Sequence, residues 1–170
     1  RQTSARLPWL LIGMLGGIGN SMILGNFDTT FAAHPEMALY IPLIGGTGGN
    51  VGTQSSALVV QGLANSSLDA NNTWKQILKE SVVALINATI ISMLVYIYNF
   101  VRFGPTATVS YSVSLSLFAV VMFASIFGTL VPMTLEKLKI DPAIATGPFI
   151  SITNDIIGMM LYMGITVLLS

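Results

Sequence analysis

The sequence predicts an all-α membrane protein with five transmembrane helices, and three observations carry that prediction. Only 8% of the 170 residues are charged while 53% are hydrophobic, whereas ordinary soluble domains carry about 25% charged residues. Several apolar runs exceed twenty residues, enough at ~1.5 Å rise per residue to cross a ~30 Å hydrocarbon layer. Short polar or Gly/Pro-containing breaks divide these runs into five.

The first span covers about 8–26, with Pro8 in its first turn, where a missing N–H costs nothing. The second covers about 38–63 and is rich in glycine, the third about 76–101 and the fourth about 111–135. The fifth starts near Pro142, where Asp141 is a suitable N-cap, and runs to about 168. The stretch 64–75 is the longest polar loop, while Gly104-Pro105 and Asp141-Pro142 punctuate the later connections.

Seven basic and seven acidic residues leave no net charge, which excludes a basic nucleic-acid binder and an acidic disordered tail. Without cysteine there is no disulfide, thiolate metal site, iron–sulfur cluster or cysteine nucleophile, and His34 stands alone. The chain begins at Arg1 with an apolar run too long for a signal peptide, so the expectation is a fragment of a longer protein. Five spans put the termini on opposite sides. Arg1, Arg6, Lys75, Lys79, Lys137 and Lys139 share one side and Arg102 alone marks the other, so the N-terminus is expected in the cytoplasm and the C-terminus outside. Trp9, Tyr40, Trp74, Phe103 and Tyr111 fall near the expected interfaces, although aromatic residues are common throughout membrane proteins. The triplets at Asn65, Asn71 and Asn87 match the glycosylation pattern but fall in the cytoplasmic loop or inside a span.

Two groups of residues are out of place in hydrocarbon. Segment 42–54 holds five glycines with Pro42, Asn50 and Gln54, and loosened backbone at membrane depth survives only inside protein or beside a wet cavity. Gly45, Gly49, Gly52 and Ser56 form one small-residue stripe, with Asn50, Gln54 and Gln61 beside it. Close helix packing explains the glycines, but not the carboxamides; exposed backbone carbonyls there are also hard ligands for a small cation. Asp155 is the second group. It lies at the middle of the expected fifth span, where a carboxylate costs roughly 2.5–3.5 kcal/mol on insertion scales. No Lys or Arg lies at that depth, so its partner is a bound cation or water, or else it is a protonated structural carboxyl. Gly147-Pro148 and Ser151 lie on the same face, with the proline expected to free a backbone carbonyl. Glu80 fits either an interface pair with Lys75 or Lys79 or a place at the pore mouth, and Asp141 either an N-cap or an entry site. Asp28, His34 and Glu36 read as solvated outer-loop residues.

Pro42-Leu43-Ile44 followed by Gly49-Asn50-Val51-Gly52-Thr53-Gln54-Ser55 resembles the signature of the MgtE magnesium channels and their solute-carrier relatives. Lys79-Glu80, Gly128-Thr129-Leu130-Val131-Pro132, Asp141-Pro142-Ala143 and Asp155-Ile156-Ile157-Gly158 follow in that family's order, so the resemblance covers the whole chain. It implies a homodimer in the bilayer, with one pore on the two-fold axis lined by the second and fifth helices. It also implies Mg²⁺ as the transported ion, with Mn²⁺ and Co²⁺ as further candidates, held by Asp155 near the backbone of Gly49 and Gly52. The family often has asparagine where this chain has Gly147, so a side-chain contact there would be lost. Cytoplasmic regulatory domains ahead of the membrane part and a bacterial inner membrane are further implications. Two Asp155 carboxylates on the axis would match the charge of Mg²⁺, which binds through one or two carboxylates while keeping several waters.

The nearest alternative is a transporter coupling divalent movement to Na⁺ or H⁺. An intramembrane aspartyl protease needs two carboxylates sharing a proton, and each chain offers one at mid-depth. A scaffold without transport leaves Asp155 and Asn50 unexplained. No enzyme is therefore expected. The absence of cysteine makes the topology directly testable: Asp69→Cys should react with an impermeant maleimide only from the cytoplasmic side, and Asp28→Cys only from outside.

Overall fold

In the computed structural model, which describes residues 2–104, 108–143 and 147–169, the long apolar runs are helices. They are α1 (Gln2–Gly25), a short α2 (Asp28–Ala33), α3 (Ile41–Ala64), α4 (Thr73–Phe103), α5 (Thr108–Lys137) and α6 (Pro148–Leu169). Single 3₁₀ segments, Pro35–Tyr40 and Ala70–Asn72, lead into α3 and α4. Among the described residues there is no strand.

Four of these helices (α1, α4, α5 and α6) are long and apolar enough to cross a membrane. The 24-residue α3 is not among them, because Gly, Thr, Asn and Gln fill residues 45–54 apart from Val51. Its surroundings make up for that. Helix α3 packs against both α5 and α6, α4 lies along α5, and α1 rests chiefly on α6 with no buried residue. Between apolar helices in lipid, association rests on close packing and hydrogen bonds rather than on expelled water.

Small residues make that packing possible. A Cβ added at Gly128 of α5 would stand 2.7 Å from the backbone oxygen of Gly52, and one at Gly52 would overlap the Asn154 amide of α6. Gly48 sits against Val120, and Gly16 of α1 against Ile152. At one end of the bundle Met37, Tyr40, Ile44, Leu117, Tyr162 and Met163 form an apolar core. Tyr162 Oη donates to the Met37 carbonyl at 2.9 Å, and Tyr40 Oη donates to Asn99 Oδ1. Tyr40, expected near an interface, is thus a core residue tying the 3₁₀ segment to α4. Trp9, Trp74 and Tyr111 remain exposed.

The last helix begins later than the sequence suggests. Asp141 Oδ1 accepts a bond from the Ala143 backbone N–H at 3.0 Å, capping a short turn at 142–143 rather than the helix. Helix α6 starts at Pro148, so the proline sits in a first turn and interrupts no ladder. The carbonyl of Gly147 accepts from Ser151 N at 3.4 Å. The carbonyl that the proline was expected to free, four residues before it, lies outside the described residues.

Asp155 accordingly lies about 10 Å into α6, not at its middle. Its depth in the bundle follows from antiparallel packing on α3: Ile150 meets Gly52, Asn154 meets Gly48, and Asp155 meets Gly45. From that level α3 runs on about 28 Å one way and α6 about 21 Å the other. Asp155 is interior to the bundle although it is near the start of its own helix. Replacing Gly128 by alanine forces α3 and α5 apart and should cost about 1–3 kcal/mol, seen as a lower melting temperature in detergent. Gly13→Ala, where a Cβ meets nothing within 4 Å, should leave the melting temperature within error.

Candidate cation site

A cavity of about 720 Å³ opens where α3 and α6 meet, with Asn20 of α1 at its edge. The wall from α3 includes Gly45, Gly49, Asn50, Thr53 and Gln54, with Ile41 and Ala57 at its ends, and that from α6 consists of Ser151, Asp155 and Met159. The helical repeat creates this wall: Gly45, Gly49 and Thr53 recur every four residues, with Asn50 and Gln54 one position on. Gly45 leaves room for the carboxylate, since a Cβ there would stand 3.6 Å from Asp155 Oδ1. A Cβ at Gly49 would meet nothing within 4 Å, so that backbone is open to the cavity.

Asp155 is half-buried and has no hydrogen-bond or ion-pair partner among the described residues. No Lys, Arg or His lines the cavity. The polar side chains that line it are hard oxygen donors: a carboxylate, three carboxamides and two hydroxyls. Among the described residues no three His, Cys, Asp or Glu side chains come together. One carboxylate in a roomy, polar-walled space is a poor cage for a bare ion. It suits a cation that keeps much of its water, as Mg²⁺ does.

The structure brings together Asp155, Gly49, Asn50, Gln54 and Ser151, all singled out from the sequence. Gly52 is not on this wall. It is buried between α5 and α6, because the stripe of small residues winds around α3 and only its first part faces the cavity. Gly147 lies just before α6, off the cavity, and Asp141 is exposed at the turn that it caps. Glu80 is on the opposite side of α3, where Ser55 Oγ donates to its Oε1 at 2.8 Å. The pairing with Lys75 or Lys79, one of the two alternatives for it, is not made; among the described residues the contact between a carboxylate and a basic side chain is that of His34 Nδ1 with Glu36 at 3.8 Å.

Sequence reasoning missed Gly45 as the neighbour of the carboxylate, and also Asn20 and Thr53. A carboxamide in the apolar run of α1 was a legible signal for Asn20, whose buried Oδ1 has no partner. Asn154, which the sequence places just beside the Asp155 face, is the more telling residue. It is 1% exposed, both of its side-chain polar atoms lack partners, and it wedges against Gly52 beside the carboxylate.

Residues 41–165 match the family MgtE, described as a divalent cation transporter. The chain is 33% identical over 160 residues to the magnesium transporter MgtE of Bacillus subtilis, covering 94% of this chain and 35% of the relative. It is 33% identical over 165 residues to that of Thermus thermophilus, and 30% identical over 165 residues to that of Enterococcus faecalis. In both cases the match covers 97% of this chain and 36% of the relative. The chain thus spans about a third of the length of the curated relatives it matches.

An Asp155 carboxylate without a protein partner contributes no bond to the fold. Asp155→Asn should therefore leave the melting temperature in metal-free detergent unchanged or slightly raised. A structural carboxyl would instead lose a hydrogen bond and, with it, about 1 kcal/mol or more.

Proposed function

The chain belongs to the MgtE family of divalent cation transporters, and from that premise we propose that it moves Mg²⁺ across a membrane through a dimeric, channel-like pore. Helices α1, α3, α4, α5 and α6 are the five spans of each subunit, and α3 and α6 line the pore. Asp155 is the central cation-binding carboxylate, and Gly49 offers backbone beside it; Asn50, Gln54 and Ser151 complete the polar wall. Gly52 acts at one remove, by seating Asn154 and α6 against α3. The observation that carries this reading is an unpartnered carboxylate inside a polar-walled cavity of a membrane bundle.

The energetics are consistent with passive entry. Two Asp155 carboxylates facing each other across a two-fold axis supply −2 against an ion of +2. A hydrated ion held this loosely can also leave, as conduction requires. An inside-negative potential of 100 mV contributes about 4.6 kcal/mol for two charges, so inward flow needs no nucleotide. The start of α4 with Lys75 and Lys79, and the end of α5 with Lys137 and the following Lys139, face the cytoplasm in this reading.

Flux into proteoliposomes under an imposed inside-negative voltage tests it. Mg²⁺ uptake should occur without any Na⁺ or H⁺ gradient and should fall at least tenfold in Asp155→Asn with the oligomer intact. Uptake that requires a counter-ion gradient would favour the coupled transporter, and equal uptake by both proteins would remove Asp155 from the mechanism.

A further inference from the structure

Across α3 from Asp155 lies a second cavity, of about 310 Å³, bounded by α3, α4 and α5, with Val51, Leu58, Val83, Ile90 and Ile91 forming its apolar part. Glu80 and Asn87 of α4 line it with Gln54 and Ser55 of α3 and Ser125 of α5. Glu80 and Asn87 are seven residues apart, close to two full turns, so both stand on one face of α4. Ser55 satisfies one carboxylate oxygen of Glu80, and the other has no hydrogen-bond partner among the described residues. Ser125 is only 2% exposed and lines the same cavity, yet its hydroxyl makes no hydrogen bond to another described residue.

A single serine is scant reason for an acid here. Carboxylates within membrane-spanning helices are costly, and they are found paired or in functional sites. With no cation of the protein against it, Glu80 is left with one uncommitted oxygen, beside the buried Ser125 hydroxyl and the exposed carboxamides of Gln54 and Asn87 at the mouth of the cavity. All of these are hard oxygen donors, and no sulfur or imidazole is present to favour a soft metal.

We propose that Glu80, with Asn87, Gln54 and Ser125, forms a second divalent-cation site, separate from the Asp155 cavity, that holds a hydrated ion. The site takes its ligand class from the transport reading above. At about 30 Å³ per water, 310 Å³ accommodates an ion with its first shell of water. A cation such as Mg²⁺ needs only one carboxylate when it keeps that shell. The neutral oxygens then accept hydrogen bonds from the bound waters. Gln54 lines both cavities, so occupancy of this site bears on a side chain that also faces the Asp155 site.

Mn²⁺, which can be counted by its paramagnetic resonance, is a suitable probe on the full chain in detergent. It would be titrated into the wild type, Asp155→Asn, Glu80→Gln and the double variant, with Mg²⁺ as competitor. Glutamine keeps an acceptor for Ser55, so unchanged melting temperatures should accompany Glu80→Gln. Asp155→Asn is expected to retain one Mn²⁺ per chain, displaced by Mg²⁺, and the added Glu80→Gln to weaken it at least tenfold. Equal Mn²⁺ affinity in Asp155→Asn and the double variant would overturn the proposal, as would loss of all binding on Asp155→Asn alone. Because the Glu80→Gln loss is read in both backgrounds, failure of the Asp155 pore and failure of this site are separately visible.

Discussion

Everything in this bundle depends on one constraint: a helix as rich in glycine as α3 can lie at membrane depth only when other helices seal it. Each missing side chain exposes backbone, and hydrocarbon offers no water to satisfy it. The seal is the contact of Gly52, Gly128 and Asn154, where α5 and α6 come so close that no Cβ fits at either glycine. That contact leaves α3 with two unlike sides. One is buried against α5 and α6; the other carries Gly45, Gly49, Asn50 and Gln54 into an open cavity. The glycines therefore serve packing in one place and access in another, within the same 24 residues.

The position of Asp155 follows from this seal. Helix α6 starts only at Pro148, yet the antiparallel match of Ile150 to Gly52 and Asp155 to Gly45 brings the carboxylate to the interior of the bundle. There it faces a roomy polar cavity with no cation of the protein nearby. In the transport reading proposed above, a carboxylate so placed holds a hydrated cation loosely and not in a permanent cage. Helix α1, with no buried residue, touches the rest mainly through α6. It adds Asn20 to the cavity edge while presenting apolar surface outward, as suits a lipid or protein neighbour.

Much of this was legible in the sequence, and the reasons are physical. Apolar runs longer than twenty residues have few alternatives to membrane helices, so α1, α4, α5 and α6 were readable from composition and length. Asp155 stood out because a charge in such a run is costly wherever the helix packs. Less legible was the division of the Gly45-to-Ser56 stripe, since a glycine has no side chain to indicate which neighbour it will meet. Gly52 and Gly49 differ only in what approaches them. The start of α6 was misread for a related reason: Asp141-Pro142 and Gly147-Pro148 are both acceptable helix starts, and the Asx turn at Ala143 goes with the later one.

The sequence by itself thus determined an all-helical membrane chain of the MgtE family, with Asp155, Asn50 and Gln54 as polar residues demanding an explanation. Only the tertiary structure decided that Asp155, Gly49 and Gln54 share one cavity, that Gly52 is a packing residue, and that Tyr40 is part of a core. It also put Glu80 in a cavity of its own across α3. Hydrophobicity and helical period fix which segments enter the membrane and which residues share a face. Which face meets which neighbour is set by the rotation and register of packed helices, and those arise from close contacts between residues far apart in the chain.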